Sequence, residues 1–138
     1  MQPNPYLFFL GDCFEAMSHY ADVLGGEIVS VTRNSDAANP EDRMPGPDDA
    51  VMNMGIKTDG GMIFGSDAPK EWHSTPQGFR LQLECGSAEE FDHLQKALGK
   101  DAKAVDMPAG ETFWAERFTM FTDRFGTPWM LNFTGSKT

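Results

Sequence analysis

The feature that most constrains this sequence is an internal repeat with two copies. Residues 11–15 (GDCFE) match residues 86–90 (GSAEE) at an offset of 75 residues. Each segment follows a short apolar strand candidate and precedes a helical stripe. An Asp or Ser followed three residues later by Glu is the capping-box pattern, so Asp12 with Glu15 and Ser87 with Glu90 predict two helix starts. The repeat therefore predicts two copies of one folding unit.

Three strand candidates follow each predicted helix. In the first copy they cover residues 27–33, 51–58 and 62–66, and in the second copy residues 103–107, 116–122 and 128–133. Turn residues with glycine precede the last strand of each copy. The sequence therefore predicts an α+β fold of two tandem βαβββ modules within a single domain, residues 1–138. Module 1 spans about residues 5–67, a connector about 68–78, and module 2 about 79–134.

The charge of the chain limits the partners that it can have. The 138 residues carry a formal net charge of −10. Nucleic acids and anionic membranes attract clustered basic residues, so we expect neither as a partner. No stretch approaches the roughly 20 apolar residues of a membrane span, and the first residues lack the basic segment of a signal peptide. We expect a cytoplasmic protein in which Cys13 and Cys85 are reduced thiols.

Three blocks of the chain carry a resemblance to a known superfamily. They are PYLFFLGDCFEAMSHYADVLGGE, VMNMGIKTDGGMIFGSD and ETFWAERFTMFTDRFGTPWMLNF. These blocks resemble the vicinal oxygen chelate superfamily, which includes glyoxalase, bleomycin-resistance proteins and extradiol dioxygenases. The resemblance is closest to the PhnB-like branch, whose members often carry a 3-demethylubiquinone methyltransferase-like name. It implies curved mixed sheets around a concave pocket, usually in a homodimer.

The resemblance also implies four positions for metal ligands, which metal-dependent relatives fill with His, Glu or Gln. By position they fall on Pro5, Phe64, Arg80 and Met130. None of these side chains suits a divalent ion bound through nitrogen and oxygen. Asn53 stands where PhnB-like sequences commonly have His. We therefore predict no metal ligand and no cofactor, and a divalent metal is the minority alternative.

Strand alternation predicts which side chains face away from the helices. On that basis Tyr6, Phe8 and Leu10 face the first helix, and Leu7 and Phe9 face away from it. Arg80 is a candidate for binding a carboxylate or a phosphate, and the alternative is an ion pair with Glu84 or across the strands. The predicted ligand-binding residues are Phe9, Asn53, Phe64, Arg80, Gln82, Trp114, Trp129 and Met130.

Two glutamates near the chain end are weak catalytic candidates. Glu111 and Glu116 are five residues apart, so a regular strand places them on opposite faces. A carboxylate dyad that shares a proton is therefore not expected. One glutamate alone could act as a general acid or base if Trp114 or Trp129 desolvates it. The alternative is that both are solvated.

The functional prediction is a small-molecule-binding, PhnB-like protein without the usual divalent-metal site. One alternative is a metal-dependent lyase, isomerase or dioxygenase, and another is a protein that sequesters an antibiotic or a metabolite. The sequence does not decide whether the chain is an enzyme. We expect a homodimer, because exposed strand edges need covering.

Overall fold

The helices and strands follow one another in the order that the repeat predicts. The computed structural model describes residues 1–137. Module 1 contains β1 (Tyr6–Phe9), α1 (Cys13–Val23), β2 (Glu27–Arg33), β3 (Val51–Thr58) and β4 (Gly61–Asp67). Module 2 contains β5 (Leu81–Glu84), α2 (Ala88–Gly99), β6 (Ala104–Gly110), β7 (Arg117–Thr122) and β8 (Pro128–Phe133). No helix in residues 1–137 is long and apolar enough to cross a membrane.

Each module forms one four-stranded mixed sheet. The strand orders are β1-β4-β3-β2 and β5-β8-β7-β6. The first and last strands of a module pair in parallel, with Tyr6 opposite Phe64 and Gln82 opposite Met130. The other pairs are antiparallel. The α+β prediction of two tandem βαβββ modules is confirmed. The chain divides into two compact units, residues 1–74 and residues from 75 onward, and the single domain stays a prediction.

The core of module 1 lies between α1 and its sheet. Met17 and Tyr20 of α1 and Met54 and Ile56 of β3 are fully buried. A Cβ added at Gly65 of β4 would lie 3.1 Å from Met17 Sδ. The glycine therefore allows α1 to pack closely against the sheet.

The core of module 2 uses the predicted stripe of α2. Phe91, Leu94 and Leu98 are buried, as the helical spacing requires. Trp129 and Leu131 of β8 are completely buried. These two residues pair with Leu81 and Leu83 of β5, which therefore lie on the same face of the sheet.

The two helix starts are capped by different means. In module 2, Ser87 Oγ accepts a hydrogen bond from Glu90 N at 3.1 Å, and Glu90 Oε1 accepts one from Gly86 N at 3.0 Å. This is the reciprocal pairing that the sequence predicts. In module 1 the prediction of a capping box at Asp12 is wrong, because the carboxylate of Asp67 takes that place.

Asp67 lies at the end of β4 and is only 7% exposed. Its Oδ1 accepts hydrogen bonds from Gly11 N and Cys13 N, both at 3.0 Å. Its Oδ2 accepts one from Val51 N at 3.0 Å. One carboxylate therefore joins the start of α1, the start of β3 and the end of β4.

The predicted faces of β1 are wrong. Leu7 and Phe9 are buried, whereas Tyr6 and Phe8 are exposed. Leu7 pairs with Gly65 and Phe9 with Asp67, and both partners contact α1. Leu7 and Phe9 therefore face the helix, and Tyr6 and Phe8 face away from it.

A side-chain amide orders the long loop of module 1, residues 34–50. Asn34 is 1% exposed. Its Nδ2 donates hydrogen bonds to Met44 O at 3.1 Å and Pro47 O at 3.0 Å. Its Oδ1 accepts one from Met44 N at 3.2 Å. These three bonds hold the proline-rich end of the loop in a fixed position.

Candidate functional site

The face of the module 1 sheet that points away from α1 presents an aromatic surface. Tyr6 is 40% exposed and Phe8 is 55% exposed. The Tyr6 ring centroid lies 5.1 Å from that of Phe8 and 6.4 Å from that of Phe64, which is nearly parallel to it. We call the surface formed by Tyr6, Phe8, Asn53 and Phe64 the aromatic face. Its width and exposure suit contact with a flat apolar ligand.

A polar group lies at the edge of these rings. Asn53 of β3 is exposed, and its Nδ2 donates a hydrogen bond to the Tyr6 hydroxyl at 3.1 Å. Gly55, two residues along β3, lies beneath the Phe64 ring, because a Cβ added there would be 3.0 Å from Phe64 Cε1. The glycine lets the ring lie flat on the sheet. The structure thus brings together the predicted ligand-binding residues Asn53 and Phe64.

The corresponding face of the module 2 sheet carries sulfur and aromatic side chains. Met130 is half-buried and lies opposite Gln82 on one side and Met120 on the other. Trp114, in the loop between β6 and β7, is 41% exposed. Its ring contacts Phe118 edge-on, with centroids 5.2 Å apart. Gln82, Trp114 and Met130 therefore all belong to module 2.

A polar pair made of the buried Asn132 and the exposed Glu84 lies on the same face. Asn132 Nδ2 donates to both carboxylate oxygens of Glu84 at 3.0 Å and to Thr134 Oγ1 at 3.0 Å. Asn132 Oδ1 is buried and has no hydrogen-bond partner within the described residues. The Glu84 carboxylate is thus engaged by the protein itself.

Arg80 is occupied by internal contacts. Its Nη2 lies 2.9 Å from Asp106 Oδ2 in a partly buried ion pair. Its Nη1 donates to Phe121 O at 3.2 Å and to Trp129 O at 3.3 Å. The sequence left an ion pair within the protein as the alternative for Arg80. The structure shows such a pair, with Asp106 and not Glu84 as the partner. Arg80 fastens β6, β7 and β8 together.

Two predicted ligand-binding residues lie in the cores. Phe9 is 2% exposed on the α1 side of its sheet, so its predicted place on the opposite face is wrong. Trp129 is completely buried, and its Nε1 donates to Asp123 Oδ2 at 2.8 Å. Both aromatic rings stabilise the fold by filling the space beneath a helix.

The two glutamates that were catalytic candidates hold the end of the chain. Glu111 Oε2 lies 2.6 Å from Lys137 Nζ, and both side chains are partly exposed. Glu116 Oε2 accepts a hydrogen bond from Ser136 N at 3.1 Å. These contacts give both glutamates a structural role.

Both cysteines are free and buried. Burial, together with the nearby carboxylates of Glu90 and Glu84, raises the pKa of the Cys85 thiol to about 11. Burial raises the pKa of Cys13 further above its ordinary value of 9.0, and the charge of Asp67 adds to this. Both thiols are therefore protonated at neutral pH and are poor nucleophiles.

The residues at the implied metal positions do not fit a divalent ion. Pro5 uses its carbonyl oxygen to accept a hydrogen bond from Phe64 N at 2.9 Å. Arg80 is a cation paired with Asp106, and Met130 offers only a thioether. Among residues 1–137 no group of three His, Cys, Asp or Glu side chains is placed to hold a metal. The donor groups of these faces are aromatic, amide and thioether groups, together with the single Glu84 carboxylate that Asn132 binds.

A comparison with models of protein families identifies the family of this chain. The model of the Glyoxalase/Bleomycin resistance protein/Dioxygenase superfamily matches residues 2–131. The chain belongs to this superfamily. Protein YjdN of Escherichia coli (strain K12) is similar in sequence, with 35% identity over 144 residues. The alignment covers 96% of this chain and 95% of that protein.

Solved structures place the chain among PhnB-like members of the superfamily. Protein PA1353 from Pseudomonas aeruginosa has a TM-score of 0.86 and 34% identity, covering 96% of this chain and 97% of that one. A PhnB protein from Bacillus cereus, which carries the name 3-demethylubiquinone-9 3-methyltransferase, has a TM-score of 0.81 and 26% identity, with 96% and 99% covered. The resemblance seen in the sequence is confirmed.

The aromatic face includes two residues that the sequence analysis assigned to the core. Tyr6 and Phe8 belong to a run in which five consecutive residues are apolar or aromatic, from Tyr6 to Leu10. Because every position of the run is apolar or aromatic, alternation of apolar and polar residues could not show that Tyr6 and Phe8 face away from the helix. The parallel register of β1 with β4 is what places them beside Phe64.

Proposed function

We propose that this superfamily member binds a small organic molecule on the aromatic face of module 1, without the divalent ion that metal-dependent relatives use. The observation that carries the proposal is the chemistry of the sheet faces. Tyr6 and Phe8 are exposed beside Phe64, and Asn53 adds a hydrogen-bonding group at the edge of the rings. An apolar surface with a few fixed polar groups is typical of a small-molecule site.

The metal positions support the same proposal. A divalent ion held by nitrogen and oxygen needs several suitable ligands at once. The four implied positions offer a proline, a phenylalanine, a thioether and a guanidinium that is already paired with Asp106. A metal-dependent lyase, isomerase or dioxygenase needs a different set of side chains at these positions.

The first prediction concerns metal content. The protein is purified without a chelator, dialysed against buffer with one micromolar Zn²⁺, Ni²⁺, Mn²⁺ or Fe²⁺, and analysed by mass spectrometry for metals. We expect less than about 0.1 ion per chain, because the faces lack a set of hard ligands. One equivalent of any of these ions in the wild type would overturn the proposal, and its loss in a Met130→Ala variant would place the metal site beside Met130.

Sequestration is distinguished from catalysis by the fate of a bound ligand. A ligand that co-purifies with the protein, or that native mass spectrometry detects at one per chain, is returned to the protein and recovered. Recovery without chemical change supports binding as the whole function. A changed mass of the recovered compound supports an enzyme.

We also propose a homodimer, which is motivated by the edges of the sheets. β2 and β6 are edge strands, and both are largely exposed. Val29 of β2 is 47% exposed and Val105 of β6 is 61% exposed. Apolar edge strands with unpaired backbone groups are usually covered by another chain or protected by charge.

The second prediction is the mass in solution. Sedimentation at micromolar concentration is expected to show a species of twice the 15.3 kDa chain. A charge at the contacting edge weakens such an interface. If β2 forms the contact, Val29→Glu is expected to shift the equilibrium toward the monomer and Val105→Glu is the control. If β6 forms the contact, the two variants exchange these roles. A wild-type protein that sediments only as a 15.3 kDa species rules out the dimer.

A further inference from the structure

Module 1 also has a hollow, which lies apart from the aromatic face. Its volume is about 730 Å³, which is within the range of small-molecule sites. It opens where β1 ends and α1 begins, and the loop 34–50 forms one side. None of the residues of the aromatic face lines it. Its lining includes Leu10, Phe14, Arg33, Met44, Pro47 and Lys70.

The walls of the hollow are apolar and held in place. Leu10 is 57% exposed and Phe14 is 41% exposed. Contact of these apolar side chains with water is unfavourable in free energy unless another group covers them. Met44 and Pro47 on the opposite side are fixed by their backbone hydrogen bonds to the Asn34 side chain. A wall that is already ordered binds a ligand without a further loss of loop entropy.

Arg33 brings a positive charge to this apolar surface. Its guanidinium carbon lies 4.7 Å above the centre of the Phe14 ring. Its Nη1 donates to Asp49 O at 2.7 Å. Within residues 1–137 no carboxylate forms a salt bridge with Arg33. The guanidinium keeps N–H donors for an external anion, with a fork geometry that suits a carboxylate or a sulfonate.

The other charges of the hollow decide which sign of ligand it favours. Asp67 is buried, and its two oxygens already accept three backbone N–H groups. Glu15 and Asp49 are exposed to water, where their charge is screened. Lys70 is an exposed cation at the rim. Arg33 is therefore the cation of the hollow that is held in place and forms no salt bridge within residues 1–137.

We propose that this hollow is a binding site for a small amphiphilic organic anion. The acidic group of the ligand pairs with the Arg33 guanidinium. The apolar part lies along Leu10, Phe14, Met44 and Pro47. This site is separate from the aromatic face and does not depend on the function proposed for it.

The third prediction uses two fluorescent probes that share an aromatic body. Anilinonaphthalene sulfonate carries an anionic group, and N-phenylnaphthylamine lacks it. Arg33→Gln is expected to raise the Kd of the sulfonate about tenfold, since a charge-assisted contact is lost. The Kd of the neutral probe is expected to change less than about twofold, because the apolar walls remain. Probe fluorescence against protein concentration gives both constants.

Matched variants show whether the effect belongs to the hollow. The guanidinium of Arg124 lies 4.5 Å above the Phe125 ring, much as that of Arg33 lies above Phe14, but Arg124 is in module 2. Arg124→Gln is therefore expected to leave both probes unchanged. Phe8→Ser alters the aromatic face alone, so a change of the sulfonate Kd in that variant shows how much of the probe binds there. Circular dichroism confirms that each variant is folded, and Lys70→Gln at the exposed rim replaces Arg33→Gln if that variant is not.

Three outcomes would overturn the proposal. One is equal loss of both probes in Arg33→Gln. Another is unchanged sulfonate affinity in a folded Arg33→Gln protein, or in Lys70→Gln where that variant takes its place. The third is loss of sulfonate binding in Phe8→Ser with none in Arg33→Gln, which assigns the probe to the aromatic face. A selective, roughly tenfold loss in Arg33→Gln with Arg124→Gln unaffected supports the site.

Discussion

Replacing Asp67 by alanine is expected to lower the free energy of unfolding by about 3 to 5 kcal/mol. The carboxylate accepts hydrogen bonds from Gly11 N, Cys13 N and Val51 N, and the side chain is 7% exposed. Alanine leaves three backbone N–H groups without a protein acceptor. It also removes the side chain that caps α1. Urea denaturation followed by circular dichroism measures the loss.

Two variants test whether the hydrogen bonds are the cause. Asp67→Asn keeps one acceptor oxygen and the volume of the side chain, so its loss is expected to be smaller than that of alanine. Asp59→Ala removes an exposed carboxylate from the turn before β4, and an effect within about 0.5 kcal/mol is expected there. An Asp67→Ala protein as stable as the Asp59→Ala protein would contradict the assigned role.

Asp123→Ala is expected to destabilise module 2 by a similar amount, about 3 to 5 kcal/mol. Asp123 is 1% exposed. Its Oδ1 accepts hydrogen bonds from Phe125 N and Thr127 N, both at 2.9 Å. Its Oδ2 accepts the bond from the indole of the fully buried Trp129. Alanine removes the acceptor that orders the turn before β8 and leaves the indole N–H unsatisfied in the core.

A double-mutant cycle isolates the contact with the indole. Trp129→Phe removes the N–H donor and keeps an aromatic ring. If the bond matters, the double variant loses less stability than the sum of the two single variants, by about 0.5 to 3 kcal/mol. Strict additivity of the two losses would mean that the carboxylate and the indole act independently. Urea unfolding curves of all four proteins provide the comparison.

The order of elements could be predicted because the signals are local and occur twice. The turn residues before each last strand and the helical spacing of Phe91, Leu94 and Leu98 lie within a few residues of what they specify. The predicted strand at residues 128–133 has the bounds of β8. Repetition supplied an independent check, since each weak signal in one copy had a counterpart in the other.

The face of β1 could not be predicted from the same repeat. β1 and β5 lie equally far before their helices, yet Leu7 faces α1 and its counterpart Gln82 does not face α2. The connection in module 1 passes through Gly11, whose φ of 101° is a backbone conformation that few other residues adopt. The different path of the chain there changes which side of the strand meets the helix.

The polar contacts of the candidate sites were also beyond the reach of sequence. Arg80 lies just before β5 and Asp106 lies on β6, and no local pattern joins them. Arg33 was not singled out at all, because a lone arginine at a strand end is ordinary until the fold places Phe14 beneath it and the loop 34–50 beside it. Partners that are distant in sequence become visible only through strand register and loop conformation.

The parallel pairing of first and last strands has a consequence for how the protein is made. β1 leaves the ribosome before the rest of module 1, but its hydrogen-bonding partner β4 is the last strand of that module to be synthesised. The hairpin of β3 and β4 can form as soon as both strands have emerged, whereas β1 waits with an unpaired edge and with Tyr6 and Phe8 uncovered. The pairing of the first and last strands is thus the last contact to form in each module. Before this pairing forms, the nascent chain is most open to misassociation.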